Sequence, residues 1–319
     1  MPNELEKTWG AADAEEERDS EWDCDLGVFR DCDLGVLRDC DLGVNEATSE
    51  ADHKSDPLKP LFKDCWLPDK TAPVKEKCKT GMEVQFPGGY FLQNVWHPIS
   101  CSMTRYTTEA EINGCLKGKY LHVIGDSTLL QYMRYCTNIL PNLKDLNLYG
   151  SGWGKSQLKV DVDRNIQMRF QRHGYPFVSA VFHSILENPT IPEQIDRIGG
   201  HQNMVIIFTA GTHFKGFPLH IYIRRVINIR KAIQRLLLRS PATKVILKTE
   251  NTAAYRDPIE AVSDLHGYFQ YLIMNSLMKG LNIATIDAWD MTTAAATNDL
   301  HPPPVIIQNE ISLLLTFLC

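Results

Sequence analysis

No apolar run in this 319-residue chain approaches the roughly 18 residues needed to cross a bilayer as a helix. The opening stretch, MPNELEKTWGAADAEEERDSEW, has no hydrophobic core of the kind a signal peptide carries. No transmembrane segment is therefore expected, and nothing in these residues directs the chain into the secretory pathway. No two of its nine cysteines stand two to four residues apart. That removes the usual zinc-ligand spacing, and no metal site is expected. Lysines and arginines occur without an interleaved aromatic stripe, so nucleic acid is not an expected partner. The nearest approach to a phosphate-binding loop, GSGWGKS at 150 to 156, is one spacer short between Gly150 and Gly154, and Tyr149 stands where the first glycine belongs.

What is present divides the chain in two. The whole chain carries a net charge of −6, but residues 1 to 60 hold 18 acidic against 6 basic residues, a net of −12, leaving +6 on the remainder. The acidic part contains DCDLGVFR, DCDLGVLR and DCDLGV in tandem over 23 to 44. A period of eight suits neither helix nor heptad, so residues 1 to 60 are expected to be a disordered acidic tail without chemistry, and 61 to 319 a single folded domain. Three cysteines belong to the repeat. The other six, Cys65, Cys78, Cys101, Cys115, Cys136 and Cys319, allow as many as three disulfides, and spacing alone does not choose the pairs.

Within the folded part, short apolar runs alternate with amphipathic stretches. YLHVIG (120 to 125), NMVIIFTAG (203 to 211), KVILKTE (244 to 250) and LNIATIDAW (281 to 289) read as buried strands. Helices are expected near 127 to 140, over 221 to 239 and 266 to 280, and after the prolines at 302 to 304. This alternation predicts a mainly parallel sheet covered on both faces, a three-layer α/β/α fold whose ligands lie at the carboxyl ends of the strands. The basic residues Arg224, Arg225, Arg230, Lys231, Arg235 and Arg239 follow one helix and read as its solvated face.

The strand-end loops carry Gly125-Asp126-Ser127, Gly211-Thr212-His213, Glu250-Asn251 and the stretch from Asp290 to His301. Ser127 sits where a strand turns into a helix, with Gly125 allowing a tight turn. One reading makes Ser127 the helix cap. The other makes it a nucleophile whose oxyanion is held by free N–H groups at the helix start, its own first. A serine hydroxyl needs a base to take its proton, and His301, in a proline-stiffened loop after the last α/β unit, is the candidate.

GDS after the first strand with a late histidine resembles the GDSL/SGNH hydrolase superfamily and its PC-esterase branch. The longer blocks WHPISCSMTRYTTEAEINGCLKGKYLHVIGDSTL, HFKGFPLHIYIRRVINIRKAIQRLLLRSP, KVILKTEN, IDAWDMT and TNDLHPP resemble the C-terminal domain of the neurexophilin and PC-esterase domain family over roughly 61 to 319. The resemblance implies an SGNH-hydrolase-like fold with Ser127 and His301 as nucleophile and base of a glycan O-acyl esterase or O-acetyltransferase, acting on sialic acid or a related sugar hydroxyl. It implies a carbohydrate or glycoprotein substrate, no resident cofactor, and acetyl-CoA or another acetyl donor for a transferase. It also implies a secretory or extracellular setting, so a chain with an acidic repeat in place of the family's N-terminal region is expected to be a truncated or diverged copy.

The branch pattern Asp-x-x-His meets Asn298 here, with Asp299 displaced by one residue. In serine proteases the equivalent Asp to Asn change costs about 10⁴-fold. Asp299 or Asp290 could substitute. A degenerate dyad would leave a non-catalytic glycan- or protein-binding module. For the oxyanion and substrate positions the candidates are Gly211, His213, Gly152 and Asp126.

Overall fold

A computed structural model describes residues 75–146, 155–177, 187–253, 263–297 and 299–319. These residues belong to the second of two units into which the chain divides, Val74–Cys319. The acidic segment with its repeat, Cys65, Gly152 and Asn298 lie outside the described residues.

Nine strands are described: β1 (Gly89–Leu92), β2 (Val95–Pro98), β3 (Tyr120–Gly125), β4 (Lys144–Asp145), β5 (Gln157–Asp161), β6 (Ile166–Arg172), β7 (Met204–Phe208), β8 (Lys244–Lys248) and β9 (Ala284–Ile286). β1 and β2 form a separate hairpin, and the other seven make one sheet in the order β4-β5-β6-β3-β7-β8-β9. Pairing is parallel from β6 through β9 and antiparallel at the β4-β5-β6 edge. The helices are α1 (Glu109–Leu116), α2 (Ser127–Ile139), α3 (Ile191–Asp196), α4 (Leu219–Arg239), α5 (Asp264–Met278), α6 (Ala288–Ala294) and α7 (Pro304–Leu318).

Two cores lie on opposite faces of the sheet because strand side chains alternate. Leu121 and Val123 of β3, Val205 and Ile207 of β7 and Ile246 of β8 join the core built with α1, α2 and α7. Ile206 and Phe208, Val245 and Leu247 face the other way, against α3, α4 and α5. The three layers expected from the sequence, helices on both faces of a mainly parallel sheet, are therefore observed. α7 is buried almost all round, as its near-continuous apolar sequence requires. Its few polar side chains hold the entry segment: Asn309 Oδ1 accepts from Trp96 N at 2.8 Å and Thr316 Oγ1 from Thr104 N at 3.0 Å. Among the described residues no helix is long and apolar enough to cross a membrane.

Two disulfides, Cys78–Cys101 and Cys115–Cys319, use four of the six dispersed cysteines. Cys136, on α2, is a buried free thiol that burial pushes up to about 12. The basic residues of α4 do more than face solvent. Arg235 forms a two-pronged pair with Asp196 at 3.0 and 2.6 Å, Arg239 reaches Ile195 O and Ile198 O, and Arg230 reaches Leu277 O and Lys279 O. They tie α4 to its neighbours on either side.

The strand order reverses at β3. The next parallel strand in the chain, β6, lies on one side of it and β7 on the other. Such a reversal opens a crevice beyond the strand ends, and the GDS turn occupies it.

Candidate active site

β3 ends at Gly125, and α2 begins at Ser127 with Asp126 as its N-cap. The Asp126 carboxylate accepts from Thr128 N at 2.9 Å and from Thr128 Oγ1 at 2.7 Å. The capping reading therefore belongs to Asp126 and not to Ser127. Ser127 is the first helical residue, its own N–H lacking an intrahelical acceptor and its hydroxyl released from capping. Gly125 differs from expectation in its physical reason. A Cβ there would lie 2.7 Å from Thr209 Cγ2 and 2.9 Å from Leu129 Cδ1, so close approach of β7 and α2, and not a special backbone angle, requires glycine.

Ser127 Oγ lies 2.7 Å from His301 Nε2 across 174 residues of sequence. Ser127 is half-buried and His301 exposed, so the pair faces solvent while Asp126 is sealed beneath it. With Nε2 unprotonated, the serine hydroxyl donates and the imidazole accepts.

Below the pair lies a buried polar group. Burial works to raise the Asp126 pKa, yet His213, the hydrogen bonds from Thr128 and His173 hold it below the usual carboxylate value. His173 follows β6 and donates its backbone N–H to Gly125 O at 3.0 Å. Its ring stands 5.3 Å from that of His213. Burial lowers both imidazoles, His173 to about 4, against the opposing pull of Asp126, so both are neutral near pH 7. Arg172, also buried, shares the Asn188 amide oxygen at 3.1 and 3.3 Å and lies over the Phe177 ring. Neither Arg172 nor His173 belongs to a motif that would single it out. The signal available for them is position, at the end of a strand marked by the period-two alternation of IQMRFQR.

The remaining expected residues are placed as follows. Gly211 packs against Glu250, where a Cβ would come within 2.9 Å of the Glu250 side chain. His213 lies in a 3-10 turn, Thr212–Phe214, beside Asp126 and His173. Asp299 is exposed on the His301 loop, its backbone N–H directed to Thr297 Oγ1 at 3.4 Å. Asp290, the other alternative to the expected aspartate, lies on α6, and its carboxylate accepts from Gly88 N. Asn298 and Gly152 lie outside the described residues.

Glu250 and Lys215 form a buried pair with Oε2 to Nζ at 3.4 Å, joined by Asp264 at 3.7 Å. Burial pushes Glu250 up to about 7, with Lys215 pulling in the opposite direction. Next in sequence, Asn251 spans from Lys248 to the His301 loop, a contact invisible in the sequence because it depends on how two loops meet.

Among solved structures, Axe2, an acetylxylan esterase from Geobacillus stearothermophilus, is 12% identical, with the match covering 61% of this chain and 91% of that one at a TM-score of 0.30. A likeness of that size carries no weight for fold or function. The family described as NXPE family member 4-like, C-terminal domain, matches residues 96–319, which include β3, α2, the His301 loop and most of both cores. The chain belongs to that family.

Proposed function

We propose that this domain is a serine O-acyl esterase or O-acetyltransferase acting on a carbohydrate hydroxyl, with sialic acid or a related sugar as acceptor or substrate. The observation that carries the reading is the 2.7 Å contact of Ser127 Oγ with His301 Nε2 at the reversal point of the sheet, within the domain that defines the family. Ser127 attacks the acyl carbonyl while His301 Nε2 takes the hydroxyl proton. The tetrahedral oxyanion is held by N–H of Ser127 at the start of α2, with Gly211 and His213 as further donors from the next strand end. His301 then returns the proton to the departing atom, the oxygen of an ester or the sulfur of a thioester donor, leaving an acyl-serine. Water resolves it in an esterase and a sugar hydroxyl in a transferase, which draws acetyl from acetyl-CoA or another donor. Asn298 or Asp299 orients the imidazole. The two disulfides support a secretory setting, since such bonds persist in oxidising compartments.

The test combines a fluorophosphonate probe with acetyl release from acetylated glycans. Labelling should fall on Ser127, vanish in Ser127→Ala and drop at least about 100-fold in His301→Ala, the scale of lost general-base catalysis. Acetyl release that survives Ser127→Ala would overturn the mechanism. Asn298 in place of aspartate motivates the second reading, a binding module that retains glycans without turnover. Glycan binding with neither labelling nor acetyl release would favour it.

A further inference from the structure

The Ser127–His301 distance depends on a loop that carries no regular structure, and two side-chain amides grip that loop on either side of the histidine. Asn251 Nδ2 donates to Leu300 O at 2.8 Å, and Gln131 Nε2 donates to Pro302 O at 3.3 Å. Leu300 and Pro302 are the immediate neighbours of His301. Gln131 lies one turn beyond Ser127 on α2, so the helix that presents the serine also holds the loop that presents the histidine.

The orientation of the Asn251 amide is fixed by chemistry. Its Oδ1 accepts from Lys248 Nζ at 2.8 Å, and an ammonium can only donate. The amide nitrogen must therefore point the other way, at Leu300 O. Asn251 and Lys248 are both fully buried, Lys248 also donating to Thr249 O at 3.1 Å. Behind Lys248 stands the buried carboxyl of Glu310 on α7, which burial pushes up and Lys248 pulls down. A fixed cation thus locks an amide, and the amide locks a carbonyl next to the proposed base. Further along the same loop, Thr252 Oγ1 donates to Thr297 O at 2.9 Å.

We infer that Asn251, assisted by Gln131, is a positioning residue that sets the reach of His301 Nε2 to Ser127. This rests on the Ser-His reading above. Asn251 touches no reacting atom, and its effect is transmitted through the backbone at Leu300.

Asn251→Asp is the discriminating variant. It keeps size, burial and the Lys248 contact, and replaces only the donor facing Leu300 O with a carboxylate oxygen that repels it. Gln131→Met removes the second donor at nearly constant volume. Each should lower kcat and the rate of fluorophosphonate labelling by about 10- to 100-fold, the scale of a misplaced catalytic group. KM should be unchanged. Thr316→Val, which removes a buried hydrogen bond between α7 and the entry segment, serves as the comparison for lost stability. It should leave kcat intact at temperatures where the variant is folded. Turnover in Asn251→Asp equal to wild type overturns the inference, as does a kcat loss in Thr316→Val matching that of Asn251→Asp at equal loss of thermal stability.

A measurement independent of turnover separates this inference from the proposed reaction. The imidazole resonances of His301, assigned by their loss in His301→Ala, should shift in Asn251→Asp as the Ser127 hydrogen bond is lost. A wild-type protein without labelling but with this shift supports the clamp and removes the esterase reading. Unshifted resonances remove the clamp.

Discussion

At the residue scale, Asp126 and Ser127 divide tasks that the sequence leaves on one residue. Because Asp126 caps α2, Asp126→Ala should cost about 1–2 kcal/mol, the usual penalty for losing a cap. Ser127→Ala should stay within about 0.5 kcal/mol of wild type, as surface-type changes without such features do. Paired thermal and denaturant unfolding checks both, and equal losses would return the cap to Ser127. Glu250 predicts a pH dependence of stability. Its folded pKa of about 7 lies above the ordinary carboxylate value of 4.5, so the folded state binds the proton more tightly than the unfolded state. That contribution is fully present below pH 4.5 and is lost as pH rises through 7. At 1.36 kcal/mol per pKa unit it amounts to at most about 3 kcal/mol. Relative to Glu250→Gln, the wild type should lose stability between pH 5 and 8, measured by urea unfolding at each pH. A difference that grows in the other direction would mean that Lys215, rather than burial, governs the pair.

At the element scale, legibility followed burial. β3 and β8 start where their apolar runs start, and α4, α5 and α7 follow their sequence patterns to within a few residues, because a strand or helix packed into a core advertises itself. The hairpin of β5 and β6 went unread. QLKVD and IQMRFQR alternate polar with apolar residues, the period-two mark of half-buried strands, and turn at Asn165, which has φ 52°; a reading built on continuous apolar runs passes over them. The strand that brings Arg172 and His173 beside Asp126 was hidden for the same reason. α3, six residues long, offers too little periodicity to detect. The pairing of Ser127 with His301 is legible as two strand-end loops carrying a nucleophile and a base, and the resemblance points to the same two residues, but no spacing rule links residues 174 apart. The grip of Asn251 on Leu300 was not legible at all. Central strands should be the least tolerant elements. Phe208 of β7 is fully buried between β3 and β8, and Phe208→Ala should cost about 3–5 kcal/mol, read by chemical denaturation, with exposed Leu238→Ala on α4 as a near-neutral comparison.

At the scale of the whole molecule, the Cys115–Cys319 disulfide closes a loop of 204 residues between α1 and the residue after α7. Paired Cys115→Ser and Cys319→Ser replacement should cost about 2–5 kcal/mol. Unfolding midpoints with and without reductant provide the check: reductant should lower the wild-type midpoint toward that of the double variant. α7 starts just after the His301 loop and docks against α1 and α2.

The free thiol of Cys136 makes that docking observable. It lies on α2, nine residues beyond Ser127, buried in the layer shared with α7, and its high pKa keeps it protonated as well as hidden. Thiolate chemistry there requires the layer to open. The rate at which a thiol reagent modifies Cys136, followed by peptide mass spectrometry, is therefore a clock for transient separation of α2 from α7. The helix that carries the nucleophile thus contains its own gauge of how often the native packing comes apart.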